Sequence, residues 1–167
     1  RRMKALHRLF VYTLFLSLFS VGLAEPLNVF FGTGGRGAEG IYHGTFNPDN
    51  GSFSPAKLAA KIGSPGFLTL HPNGKILYSV GRWEDGAGAV GYHINNGELK
   101  EFTRMICPDG GGCHIAVHPS GKFLLTAQYG GGSVALFPLD SSGKLGEPTV
   151  TEHEGGSKVV ESRQQSP

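Results

Sequence analysis

The feature that most constrains this chain is a repeat. Residues 66–81 read GFLTLHPNGKILYSVG, and residues 113–128 read CHIAVHPSGKFLLTAQ. Superposed, His71 falls on His118, Gly74 on Gly121 and Lys75 on Lys122, each 47 residues further along. A second landmark recurs as GIYHGTFNPDNGSF at 40–53, AVGYHINNGEL at 89–99 and SVALFPLDSSGKL at 133–145. Each copy reads as an alternating apolar strand, a polar turn with glycine, and a strand restart at Phe53, Leu99 or Leu145, 46 residues apart. Two independent landmarks with one period argue against chance. The middle unit resolves into four short strands near 67–71, 76–81, 88–94 and 99–106. Asn73-Gly74 and Asn96-Gly97 are predicted as hairpin turns with positive φ at both central residues. No segment after Ala24 carries an apolar stripe of helical period. Four strands in a unit of roughly 40–50 residues are the signature of a propeller blade. The expected fold class is therefore all-β, an incomplete β-propeller of about three four-stranded blades.

The residues before the repeats have a different character. Arg1, Arg2, Lys4 and Arg8 precede an uncharged run from Leu9 to Ala24, which ends Gly22-Leu23-Ala24. A basic head, a short apolar run and small residues at the end form a secretory signal peptide, expected over 1–24 with cleavage after Ala24. The run is shorter than the roughly 20 residues of a spanning helix, so an uncleaved anchor is the lesser alternative. The expected location is exported, periplasmic or extracellular, with membrane contact only through this segment. Residues 25–167 then form the blades. All 13 acidic residues but only 11 of the 15 Lys and Arg lie after Ala24, so the remaining chain is mildly acidic. No basic cluster survives there, which excludes nucleic acid as an expected partner. The 27 glycines and 17% charged residues suit tight turns between strands. A span of about three units falls short of the 4–8 blades of closed rings, so the expectation is a truncated propeller.

Several motifs have a structural reading beside a functional one. Gly32-Thr33-Gly34-Gly35-Arg36-Gly37 fits a dinucleotide fingerprint, but the strand-like GIYHGTF follows it where a helix is required. It reads as a glycine-rich strand connection. Cys107 and Cys113, the two cysteines, bracket a five-residue loop and are either a disulfide or two free thiols. A zinc site lacks ligands, since only His114 is adjacent. No metal and no cofactor is expected. His71 and His118 occupy one repeat position and read as strand-closing turn residues, because catalytic groups are rarely copied in every blade. His114 instead aligns with Phe67, and a polar ring replacing an aromatic one makes it a site candidate. Gln128-Tyr129 ends the second strand of its blade, opposite Arg82 and Trp83 in the middle unit, while Arg36 follows the same strand of the first. Connections at one end of a propeller converge on its axis, so these positions are candidates to line a pocket for an anionic or polyhydroxyl ligand.

From about Asn28 to Pro167 the chain resembles the lactonase family of seven-bladed propellers, which includes 6-phosphogluconolactonases and carboxymuconate-cyclising enzymes. The resemblance rests on FFGTGGRGAEGIY, on CHIAVHPSGKFLLTAQYGGGSVALFPL, and on the closing RQQSP. It implies a complement of seven blades and carries four lining positions onto this chain: His114, Gln128, Tyr129 and Arg163. It also implies that the catalytic His-x-His segment follows RQQSP, beyond Pro167. The function implied is an exported sugar-lactone hydrolase, of which these residues are the amino-terminal part, inactive alone, with a monomer expected at full length. The alternatives are a non-enzymatic binding propeller of the surface or periplasm, and a propeller cycloisomerase.

Overall fold

The computed structural model describes residues 24–35, 37–156, 159, 160 and 162. All but Ala24 of the expected signal peptide, and two site candidates, Arg36 and Arg163, lie outside them. Among the described residues every regular element is a strand, and the strands form three four-stranded antiparallel sheets in series. The first sheet holds β1 (Leu27–Gly32), β2 (Gly40–Asn47), β3 (Ser52–Phe53) and β4 (Lys57–Lys61), with β3 and β4 both paired to β2. The second runs β5 (Leu68–Leu70), β6 (Ile76–Trp83), β7 (Gly86–Asn95), β8 (Glu98–Ile106) in simple meander order. The third repeats that order with β9 (His114–Val117), β10 (Phe123–Gln128), β11 (Ser133–Pro138) and β12 (Thr149–Glu152). These are the blades that the 47-residue period predicts, and the four strands of the middle unit fall within two residues of expectation. In blade 1 the meander begins at β1, the counterpart of β6 and β10.

Alternation lets blade 2 pack against a neighbour on each side. On β6, Leu77 points to blade 1 and joins Ile41, Ile62, Val90 and Tyr92 in one core. Ile76, Tyr78 and Val80 point the other way and pack with Ile115, Leu124, Ala135 and Phe137 of blade 3. Successive strand residues face opposite sides, so a sheet covered on both faces needs an unbroken apolar run. ILYSVG supplies it, and all six of its residues are buried. Burying one Leu- or Phe-sized side chain contributes about 1.5–3 kcal/mol, so the two inter-blade cores dominate the stability.

Repeated turn residues pin the blades together. His71 accepts the Asn73 N–H at Nδ1 (3.2 Å), and its Nε2 meets the Gly121 carbonyl of the next blade at 3.2 Å. The ring is therefore the neutral tautomer with hydrogen on Nε2. His118 repeats the local half of this pattern with the Ser120 N–H (3.2 Å). Both histidines thus close a strand and start a turn. Tyr78 donates its hydroxyl to the Gly143 carbonyl (2.5 Å) in the β11–β12 connection. Asp140 holds that turn by accepting from the Ser142 and Lys144 N–H groups, and the Ser142 hydroxyl chiefly keeps its carboxyl below the usual range.

Two turn-level expectations need correction. Asn96 and Gly97 both have positive φ (49° and 86°), the two-residue hairpin expected. At Asn73-Gly74 only Gly74 is positive, at 69°. Pro72 fixes φ near −65°, so His71 to Gly74 closes as an ordinary β-turn (Gly74 N to His71 O, 2.9 Å) with glycine as its fourth residue. Leu145 does not restart a full strand; it makes one bridge to Leu139 before β12 begins at Thr149. Pro148 interrupts the outer strand there, as Pro55 separates β3 from β4 in blade 1. The outer strand of blade 2 has no proline and runs unbroken.

Candidate functional site

Strands β5 and β9, the first strands of consecutive blades, touch one another, as strands beside a propeller axis do. Two kinds of connection meet at the end where they begin. One leads from an outer strand to the next inner strand, residues 62–67 and 107–113. The other joins the second and third strands of each blade, as at Trp83–Gly86 and Gln128–Ser133. His114, Gln128, Tyr129 and Arg82 all stand at this end.

His114 opens β9, where it pairs across the ladder with Ala127, one residue before Gln128. Its exposed ring lies against Phe67, with centroids 4.2 Å apart and planes tilted by 46°. The two residues that the repeat superposes are thus in contact across adjacent blades. Gln128 is 3% exposed, and its carboxamide is consumed by the fold. Its nitrogen donates to the main-chain carbonyls of Thr126 (3.1 Å) and Ser133 (3.0 Å), and its oxygen accepts the Thr126 hydroxyl (2.5 Å). That amide bridges the two strands, and both of its N–H donors are spent in doing so. Tyr129, one residue on, is 67% exposed. The Arg82 N–H donates to Gly63 (2.8 Å), and its exposed side chain reaches Gly111. It makes no ion pair among the described residues, whereas Arg104 is held by Asp85 (3.4 Å) and covers the Trp83 ring at 5.3 Å.

The 107–113 loop carries two features that sequence reasoning did not separate. Cys107 and Cys113 are both free thiols in the structure. Cys107 sits in the core between blades 2 and 3, where burial pushes its thiol pKa up. Cys113 is exposed, and its sulfur approaches the Ala127 carbonyl at 3.3 Å. Asp109, in the same loop, accepts the Ser133 hydroxyl and lies against Gly131, so a side chain at 131 would strike its carboxylate. This clamp fixes the turn that presents Tyr129. Nothing in the sequence distinguishes Asp109 from an ordinary turn aspartate; its signal is the contact itself. Phe67 was visible only as the repeat partner of His114.

Among the described residues no three His, Cys, Asp or Glu side chains converge as metal ligands. A cavity of about 870 Å³ lies away from this end, between the broken outer strand of blade 1 and the Asn96-Gly97 turn. Pro55, between β3 and β4, and the turn of the β7–β8 hairpin line it.

Four-stranded blades in series, with the inner strands β5 and β9 side by side, define the class as a β-propeller. Residues 28–167 match the lactonase family of seven-bladed β-propellers, and the chain belongs to that family. It is 35% identical over 133 residues to 6-phosphogluconolactonase from Bacillus subtilis, covering 78% of this chain and 38% of that protein. A putative 6-phosphogluconolactonase from Bacteroides uniformis superposes with a TM-score of 0.73 at 26% identity, covering 86% of this chain and 42% of that one. The periplasmic gluconolactonase of Pseudomonas aeruginosa gives 0.71 at 25% identity, covering 82% and 41%. The chain therefore spans about two fifths of the length of these relatives.

Proposed function

We propose that these blades belong to an exported hydrolase of sugar lactones. Membership of residues 28–167 in the lactonase family carries the reading, supported by likeness to proteins named as 6-phosphogluconolactonase and gluconolactonase. Lactone hydrolysis needs water delivered to a ring carbonyl by a general base, and a positive or donor group where negative charge develops on the oxygen. At the axial end His114 offers an imidazole, Arg82 a cation without an ion pair among the described residues, and Tyr129 an exposed phenol. These three line the substrate in this reading, while Gln128 holds the wall behind them. The three described blades surround only part of an axis, so residues 25–167 alone are proposed to be inactive. Export rests on the basic head and apolar run over 1–24.

The test is acid release in a pH-stat from glucono-δ-lactone and from its 6-phosphate, using the protein at full natural length and, separately, residues 25–167. Turnover is expected from the first and none from the second. A full-length protein inert on both lactones would sink the hydrolase reading, and turnover by 25–167 would sink the inactivity of the blades alone. In the full-length enzyme His114→Ala is expected to lower kcat/KM by about tenfold or more.

A further inference from the structure

We propose that Phe67 is a specificity-determining residue that receives the face of the closed lactone ring and gives nothing to the opened acid. The inference rests on the lactone-hydrolase reading and deepens it.

Phe67 stands immediately before the inner strand β5, at the axial end, and is 41% exposed. Its position is set by the backbone, since the Val80 N–H donates to its carbonyl at 3.3 Å. One part of the ring packs on His114 of the next blade, at 4.2 Å between centroids. The rest is an apolar surface left open beside the most chemically able group of the site. A bare phenyl ring in such a place offers area and a negative π-face, and no hydrogen bond. Binding sites combine such apolar walls with a few polar groups that fix orientation.

A sugar lactone matches this pairing in a way that its product does not. The closed ring is rigid and presents C–H bonds along one face, with its hydroxyls around the rim and the carbonyl at one corner. The C–H face suits Phe67, and a rim hydroxyl or the carbonyl suits His114. Hydrolysis adds water across the C–O ester bond; the ring opens, a proton is released and a carboxylate forms. The open chain has no flat face to lay on the phenyl ring, and its new charge gains nothing there. Phe67 thereby favours substrate over product, by the modest amount a single apolar contact confers.

The test compares a closed-ring probe, glucono-δ-lactam, with the open-chain probe gluconate, by calorimetric titration of the full-length protein. Phe67→Ala is expected to weaken the lactam by about tenfold while gluconate changes by less than about twofold. Phe67→Tyr keeps the ring and is expected to bind the lactam within about threefold of wild type. Phe67→Leu keeps much of the bulk without the π-face and answers the question if the alanine variant does not fold; a loss confined to the lactam is expected again. Unchanged lactam affinity in the folded alanine or leucine variant would overturn the role of Phe67. So would an equal loss for both probes, which is the mark of a purely structural residue. If the wild type binds neither probe and hydrolyses neither lactone, the hydrolase reading fails and this inference with it.

Discussion

Strands β1, β6 and β10 occupy the same place in three successive repeats, yet their surroundings differ completely. In β6 the six residues Ile76–Gly81 are all buried. In β10 buried and open positions alternate, with Leu124, Thr126 and Gln128 inside. In β1 no residue is fully buried, and Leu27 and Phe31 are exposed. Local sequence does not account for the contrast, since NVFFG is as apolar as its counterparts. The number of covered faces accounts for it. Blade 2 has a neighbour on each side, whereas blades 1 and 3 each have one described neighbour. The outer face of blade 1 accordingly shows Phe31 (39% exposed) against Phe53, which also meets Phe46 at 4.8 Å. Stability in such a fold is mainly a nearest-neighbour quantity, set between blades rather than within them.

The largest expected effect comes from removing a residue at a two-sided position. Tyr78→Ala deletes a fully buried ring from the core between blades 2 and 3 and is expected to cost about 3–5 kcal/mol in urea unfolding of residues 25–167. Phe31→Ala removes a ring of similar size from the open face and is expected to cost less than about 1 kcal/mol. Similar losses at the two sites would mean that the blades are stabilised internally, and the comparison would fail. A smaller change separates the ring from its hydroxyl. Tyr78→Phe loses the bond to Gly143 and leaves that carbonyl without this donor, at an expected cost of about 1–2 kcal/mol. Burial first, and the Asp140 carboxylate second, push the Tyr78 pKa from 10.0 up to about 12. Below pH 10 both folded and unfolded chains keep this proton. As pH rises from 10 towards about 12 the unfolded chain releases it first, so the stability due to this group falls. The gap between wild type and Tyr78→Phe should therefore narrow over that window, and a gap constant to pH 12 would contradict the buried, donating phenol.

Much of this was legible in the sequence because a propeller writes its period into its turns. HPNGK and HPSGK marked equivalent corners, and the apolar runs between them marked strands, so blade count and strand order followed. Where prediction failed, the cause was a proline acting through geometry rather than pattern. Pro72 turned an expected two-positive-φ hairpin into an ordinary turn with glycine as its fourth residue. Pro148 replaced an expected strand restart at Leu145 with a single bridge. The candidate site was legible only as a set of positions. Alignment of the repeats put His114, Gln128, Tyr129 and Arg82 at one end, but what each side chain faces is a tertiary property. Gln128 turned inward to bridge two strands, and Asp109 emerged as a clamp through Ser133, a residue 24 positions away.

The histidine corners sharpen the same comparison at lower energy. His71 bonds both its own turn and Gly121 across the blade boundary, whereas the hydrogen bonds of the His118 ring among the described residues go only to Ser120. His71→Ala is expected to cost about 1–1.5 kcal/mol and His118→Ala no more than about half of that. Equal costs would show that the ring acts through its own turn alone. The smallest effect, and the one with the opposite sign, belongs to Tyr92 on the other face of blade 2. Its hydroxyl is buried without a hydrogen-bond partner among the described residues, and burial holds its phenol pKa well above the usual value. Folding therefore buries that oxygen without a hydrogen bond from the described residues, while the ring itself fills the core between blades 1 and 2. Tyr92→Phe keeps the ring and removes the stranded group, so the variant should be as stable as wild type or more stable by up to about 1 kcal/mol. A clear loss would show that the hydroxyl is satisfied in solution, which would require the boundary between blades 1 and 2 to be wetter than the boundary between blades 2 and 3.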